Sequence, residues 1–599
     1  MKKIIFGFLF LFTVTDSKSQ DSTYIWPTNS GRFLSSTFGE TRSAHFHAGL
    51  DIKTWGREGY KVYATKDGVL SRLLITNKGY GKAIYLKHED GFYTVYAHLQ
   101  RFNKDFQAIA DSVRLLDYSY TFEEFLEPEN IQVKKGDVIG YTGSTGVGPP
   151  HLHYEIRNAD NQPLNPLSFD FFIEDTLSPV FSSVLVEPLE INSRVSNSVY
   201  PKTIRPIATK NDTTYFDTVA VNGKVGFSPY VYDRANDVYN KYAVYELALL
   251  FNGDTLYHEL LDSFDFSETD AMFFNRVPEL NSDRRKFQRL FPANQFLNPF
   301  IVSTNFKRTL SPGLYYIIAK DYYGNRSVAE IPIKKATDSS THAIKNSFEK
   351  WNYDWVSIDE STNVNLKDFS EGVLWDSTAQ HRILNYGESS IKTLARIEPE
   401  KSYSIISPNQ AIRLFVEPNS FFDTLSIVQE TIVQPDSISF ILKSPDTIYR
   451  KPIRIQLYLG EYLNEKKNLN LYSVTQNGRR NFIDSWITGS TINALIDSPG
   501  NFTVLSDTLA PVISDPQKIK LGDGQNSYSI FTTDDLSGID YKTALFMIDG
   551  IRGIAEYDYE NDSFLFYLPK INVSKGSSIY FEVKDKAGNY SKKNFLLRN

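Results

Sequence analysis

Over residues 61–157, apolar and polar positions alternate in short runs with a period of two. Lys61-Val-Tyr-Ala64, Gly68-Val-Leu70, Ala83-Ile-Tyr-Leu86 and Tyr93-Thr-Val-Tyr-Ala97 read as strands. Lys66-Asp-Gly68 and Glu89-Asp-Gly91 supply turn text between them. Strands resume at Val133 and at Val138-Ile-Gly140, and Pro163-Leu-Asn-Pro166 closes the block. One stretch departs from this period: Phe106, Ile109, Ala110 and Val113 recur at helical spacing and predict a helix with one apolar face. Farther along, Ile412–Val416, Ser437–Leu442 and Ile453–Tyr458 return to strand patterning.

A weak repeat organises the rest of the chain. Asp175-Thr-Leu-Ser-Pro179-Val recurs as Asp507-Thr-Leu-Ala-Pro511-Val, and Lys320-Asp321-Tyr-Tyr-Gly324-Asn325 recurs as Lys584-Asp585-Lys-Ala-Gly588-Asn589. Each pair brackets a strand-rich segment. The second copy has the length of one immunoglobulin-like sandwich of ~100 residues, and the first is longer and must hold insertions. The expected organisation is mainly β. An N-terminal β-sheet domain spans 20–174, an immunoglobulin-like region with insertions spans 175–336, a β-sandwich spans 337–506, and a last immunoglobulin-like sandwich spans 507–599. A length of 599 residues requires several cores, and the abundance of Tyr and Phe with only 3 Met favours strands over helices.

Residues 1–19 read as an export signal: Lys2 and Lys3, an apolar run from Ile4 to Val14 too short to span a bilayer, then small residues at Ser17 and Ser19. The alternative is a retained anchor; a lipid anchor is excluded because no cysteine is present to acylate. The expected location is outside the cytoplasm, in the periplasm, cell envelope or medium, with no transmembrane span in the mature chain. Net charge is -7 with no basic block, which argues against a nucleic-acid partner.

Six of the nine histidines lie between His45 and His153. Without cysteine, a zinc site must be built from imidazole and carboxylate, and three protein ligands leave a position open for water, as catalytic sites do. His151 and His153 stand two apart on a strand-like run and face one side, with Leu152 pointing to the core. His47 and Asp51 are four apart, and Gly49 between them lets the backbone bend so that both converge. His98 ends the run Tyr93–Ala97, from which its ring can reach the same cleft. Each of these taken singly also fits an ordinary polar strand face or a partly buried histidine.

Together these segments resemble the lysostaphin-type (LytM-like, duplicated hybrid motif) zinc endopeptidases over about 30–170. The matching text is HFHAGLDIKT at His45–Thr54, GYKVYATKDGVL at Gly59–Leu70, GYGKAIYLKHEDGFYTVYAHL at Gly79–Leu99, VKKGDVIGYTGSTG at Val133–Gly146 and HLHYEIR at His151–Arg157. The resemblance implies Zn2+ held by His47, Asp51 and His153. It implies His98 and His151 as the catalytic pair that positions or deprotonates a zinc-activated water and stabilises the oxyanion. A histidine acid/base pair titrates near neutrality, so activity is expected to fall on acidification. His45 and His88 are expected in turns or in hydrogen bonds behind the site, and Glu155 is expected to orient a neighbour. The segment Gln100–Gln132 departs from compact members of the family. It is either a cleft wall that shapes peptide specificity or a packed excursion.

The function implied by the resemblance is hydrolysis of peptide bonds in bacterial peptidoglycan, in its stem peptides or cross-bridges, by an exported zinc endopeptidase. The alternative is a non-catalytic regulator or adaptor of other wall hydrolases; retention of all five positions of the metal centre argues against it. The β-sandwiches offer surfaces for protein or glycan partners. Asp534, Asp535 and Asp585 supply hard oxygens suited to calcium, although the same text is ordinary turn text.

Overall fold

In a computed structural model, the described residues are 24–336 and 355–597, except 43–44, 126–130, 170, 190–192, 199–200, 277–286, 293–297, 307–309, 358–362, 366–380, 387–389, 408–409, 423, 435–436, 445–447, 461–465, 476 and 570–575. The expected signal at 1–19 and the boundary at 337 lie outside them. Strand dominates, and no helix among the described residues is long and apolar enough to cross a membrane.

Among its described residues the N-terminal region contains twelve strands: β1 Leu34–Ser36, β2 Leu50–Lys53, β3 Lys61–Tyr63, β4 Gly68–Ile75, β5 Lys82–Lys87, β6 Tyr93–Ala97, β7 Leu99–Phe102, β8 Phe122–Phe125, β9 Gln132–Val133, β10 Val138–Thr142, β11 His151–Arg157 and β12 Pro163–Leu164. One helix, α1 (Lys104–Asp117), lies between β7 and β8. The large antiparallel sheet runs β1-β2-β11-β6-β5-β4-β8, and a small sheet runs β3-β10-β7. Leu152, Tyr154 and Ile156 of β11 pack with Ile52, Tyr96, Val62, Leu99 and Ile139 from both sheets in one core. The odd-numbered side chains of β11 (His151, His153, Glu155 and Arg157) therefore share the opposite face.

The insertion forms α1 and β8, and β8 pairs with the edge of β4. Asn103 caps α1 by accepting from the Phe106 N–H at 2.9 Å. Phe106 and Ala110 are buried and Ile109 packs beside them, but Val113 is exposed, contrary to the expected apolar face. Arg114 takes its place inward, because a distant domain supplies its partner.

That partner is Glu556 of the C-terminal domain. Its carboxylate accepts from Arg114 at 2.6 Å and from Lys82 at 3.1 Å, with all three groups buried. The Tyr567 hydroxyl donates to Asp111 at 2.7 Å in the same interface. The insertion is thus packed and serves as the seat of the last domain. The turn after strand Ile551–Asp558 reaches the N-terminal domain as well: Glu560 accepts from the Gly148 N–H at 2.8 Å, close to His151.

The following domain also presses on the first. The excursion between strands Asp254–Leu260 and Ile301–Thr304 puts Phe264, Met272 and Phe300 against Phe38, Phe46 and Ala48. This explains the greater length of the first repeat copy. Among the described residues, the region between the copies forms a seven-stranded and a five-stranded antiparallel sheet around one core. In the C-terminal domain the strands hydrogen-bond along one continuous path around a core of Phe546, Phe564, Phe566 and Phe581.

Removing Glu556 leaves two buried cations without a counter-charge. E556A is expected to cost about 3–5 kcal/mol of domain docking. In urea unfolding this appears as an earlier transition of the C-terminal domain, and an unchanged profile counts against the buried triad.

Candidate metal centre

Strand register builds the site. β11 pairs with β2 so that His153 stands opposite Asp51, and with β6 so that His153 also stands opposite Ala97, next to His98. His47 precedes β2 in the segment whose flanks, Phe46 and Ala48, are buried by the following domain. Gly49 acts by close approach: a Cβ there would lie 2.2 Å from the Tyr154 carbonyl oxygen. Its backbone is not left-handed, so the expected bending role gives way to one of clearance beneath β11.

Three donor atoms converge. Asp51 Oδ1 lies 2.9 Å from His47 Nε2 and 2.9 Å from His153 Nδ1, and the two nitrogens are 3.0 Å apart. His47 Nδ1 donates to the Thr37 carbonyl at 2.7 Å, which turns Nε2 inward. His153 Nε2 donates to Glu155 at 2.7 Å, which turns Nδ1 inward. Asp51 Oδ2 accepts from Arg42 at 2.6 Å. Glu155, fully buried, also accepts from Tyr80 at 2.5 Å and Arg157 at 2.6 Å, and the Phe266 ring of the next domain lies 4.7 Å from the guanidinium.

The charges follow this geometry. Burial disfavours a charged His153, but hydrogen bonds to Asp51 and Glu155 outweigh it and push the ring up to about 9. Burial alone would raise Asp51; the neighbouring His47 and the bonds from His153 and His47 hold it well below the usual carboxylate range. The metal-free site therefore keeps a proton on His153 between two carboxylates, where one metal ion could draw on His47, Asp51 and His153 together.

The other two histidines stand beside this group. His98 links β6 to β7 with a left-handed backbone (φ 58), an uncommon conformation for a non-glycine residue. Its Nδ1 donates to the Thr145 carbonyl at 2.9 Å. His151 Nδ1 donates to the Pro149 carbonyl at 2.7 Å, and its Nε2 lies 3.6 Å from Asp51 Oδ1. The two rings are 4.4 Å apart. Burial lowers both, His98 to about 3 with a further push from His151. Both are therefore neutral at physiological pH, below the near-neutral titration expected from sequence.

His45 is exposed in a turn, where its carbonyl accepts from the Arg42 N–H. His88 is buried away from the group, bonded to the Asp67 carbonyl and Thr94 Oγ1. Glu155 orients His153 through a hydrogen bond, as expected. Sequence reasoning missed Arg42, Tyr80 and Arg157. The period of two along β11 would have found Arg157; Arg42 carries no local signal.

A family model described as Peptidase family M23 matches residues 45–113 and 121–166. The chain is 36% identical over 123 residues to the DD-carboxypeptidase/endopeptidase Mpg of Neisseria meningitidis, covering 20% of this chain and 22% of that protein. It is 31% identical over 148 residues to the murein hydrolase activator NlpD of Escherichia coli, covering 25% and 31%. The chain thus spans less than a third of the length of these relatives. Among solved structures, the catalytic domain of the M23 protein EnpA from Enterococcus faecalis is 22% identical, covering 23% of this chain and 89% of that one at a TM-score of 0.17. A glycyl-glycine endopeptidase LytM from Ruminococcus gnavus is 26% identical, covering 20% and 45% at a TM-score of 0.16. Scores this low add nothing to the assignment.

A metal ion must displace the His153 proton. Its apparent affinity is expected to rise roughly tenfold per pH unit up to about pH 9 and then level off. Competition with a chromophoric chelator across pH 6.5–9.5 measures this, and a flat profile overturns the proton assignment.

Proposed function

Residues 45–113 and 121–166 match the model of Peptidase family M23, and from that premise we propose that the chain is an exported zinc endopeptidase acting on the peptide part of bacterial peptidoglycan. The observation that carries this reading is the convergence of His47 Nε2, Asp51 Oδ1 and His153 Nδ1 with two neutral histidines beside them. Two imidazoles and a carboxylate suit zinc. Bonds of ~2 Å to a tetrahedral ion need donors only a few tenths of an ångström farther apart than they stand here. The outer nitrogens of both rings are already fixed by Thr37 and Glu155, the support that metal-binding histidines require.

Zinc held by these three residues would supply a Lewis acid for the scissile carbonyl and lower the pKa of a water. The chain's own contribution is the pair His98 and His151. Both rings donate through Nδ1 to backbone carbonyls, so each neutral ring presents the Nε2 lone pair as an acceptor. Burial keeps both rings neutral and leaves each Nε2 lone pair free to accept a proton from water and pass it to the leaving amine; the same burial weakens them as bases, His98 to about 3. A protonated ring would then stand next to the developing oxyanion. The Asp558–Asp562 turn borders the cleft next to His151 and contributes to the wall that receives the peptide.

Similarity to a protein named as a murein hydrolase activator supports a second reading, in which the domain binds the wall and stimulates another hydrolase.

The test incubates the full chain with purified sacculi, with and without a zinc chelator, and reads newly released amino groups. Zinc-dependent release is expected, with H153A losing both zinc and activity. H98A and H151A should retain zinc and lose about 10²–10⁴-fold in rate. Full activity in H153A, or none in the zinc-loaded wild type, overturns the proposal. Stimulation of a separate wall hydrolase that survives H153A establishes the activator reading.

A further inference from the structure

Both copies of the repeat carry the same carboxylate triad, with two members buried and one, Asp175 or Asp534, half-buried. In the first, Asp175, Asp233 and Asp321 bring one oxygen each within 4.8 Å of one another, and Asp507, Asp534 and Asp585 do the same in the second. The supporting bonds are duplicated as well. The opening aspartate accepts from a backbone N–H two residues on, Leu177 in one copy and Leu509 in the other. The closing aspartate accepts from the backbone N–H and the side-chain amide of Asn325 or of Asn589. The same amide donates to the carbonyl of Asp175 or of Asp507. Of the aspartates whose sequence text suits calcium, Asp534 and Asp585 belong to the triad and Asp535 does not; Asp507 completes it.

These bonds explain the turns but leave one atom unexplained. Asp233 is only 5% exposed, and its Oδ1 has no hydrogen-bond partner among the described residues. A buried carboxylate oxygen with no donor, facing two further carboxylates, is among the costliest arrangements a protein can hold. Beside the second triad, the Tyr472 hydroxyl on strand Leu469–Val474 of the middle region is buried with no partner among the described residues, and all three aspartates act on it. The Arg234 backbone N–H and guanidinium lower Asp233, but they do not outweigh burial and the two carboxylates. Left to themselves, burial and the neighbouring Asp175 and Asp321 push Asp233 up to about 8.

We propose that Asp175, Asp233 and Asp321 form a calcium site, and that Asp507, Asp534 and Asp585 form its repeat. An all-oxygen set of carboxylates selects a hard divalent cation, and calcium accepts the irregular geometry of three carboxylates with water completing its shell. The position of each site gives it a structural role. Asp175 lies on the segment leaving the N-terminal domain, beside Ile173, whose N–H donates to the Tyr323 hydroxyl. Asp507 follows the last strand of the middle region, Gly500–Ser506. Each ion therefore pins the incoming linker to the domain it enters, with an affinity of about 10⁻⁴–10⁻³ M, typical of extracellular modules.

The test titrates calcium into the full chain after saturation with zinc, so that the N-terminal cleft does not compete. Isothermal calorimetry should give about two equivalents for the wild type, about one for D233N or D534N, and none for the double variant. Terbium luminescence excited through tyrosine gives an independent reading, because Tyr242 borders the first triad; calcium should quench it in the wild type, and D233N should lack that signal. The wild-type thermal midpoint should rise with calcium, and the rise should shrink in each single variant. Absence of calcium binding at millimolar concentration overturns the proposal. So does D233N binding as many equivalents as the wild type, or D233N raising stability with no calcium response in either protein, which would mark the triad as uncompensated repulsion.

Discussion

The pairing of β11 with β2 is the constraint on which the functional reading depends. It sets His153 opposite Asp51 across a single backbone step and delivers His47 from the segment just before. A slip of one residue would turn every polar side chain of β11 into the core and its apolar ones into the cleft. Leu152, Tyr154 and Ile156 forbid this, since each is fully buried. Gly49 enforces the same register from below, because only a residue without Cβ lets the two strands lie so close. The positions of the polar groups are thus fixed by apolar packing on the far side of the sheet.

Behind the donor atoms lies a chain of charge that alternates in sign: Asp51, His153, Glu155 and Arg157, closed by Tyr80 and the Phe266 ring. Each member is stabilised by its neighbour, and each would be costly alone at this depth. Such a chain holds orientation more than it adds stability, and it fixes which nitrogen of His153 faces His47 and Asp51. The contribution of Phe266 from the next domain makes that domain part of the support for the site.

Much of this was legible in the sequence. The spacing of two in His151-Leu-His153, the spacing of four in His47 to Asp51, and the strand ending at Ala97 are local patterns, and local patterns survive folding. The N-terminal strands fall where alternation put them, and the mainly β character holds throughout. What sequence could not reveal depends on partners far away in the chain. Val113 faces solvent because Arg114 finds Glu556, 442 positions later. Arg42 meets Asp51 through a turn that no period encodes. Asp233 sits outside both repeat motifs and joins them only once the sandwich closes. In the sequence Gly49 suggests a bend that lets His47 and Asp51 converge, whereas in the structure it answers to the bulk of a neighbouring strand.

The bond from Glu556 to Arg114 and Lys82 has a consequence for how the molecule can be divided. It returns the end of the chain to its beginning, so the four regions close into a ring and do not hang as beads on a string. The N-terminal domain is gripped from two sides, by Phe264 and Phe300 of its successor and by the last domain through α1. Cut free, it would present bare aromatic surface on one flank and unanswered positive charge on the other. The stretch of sequence that carries the histidine group is therefore only part of the unit that packs around it.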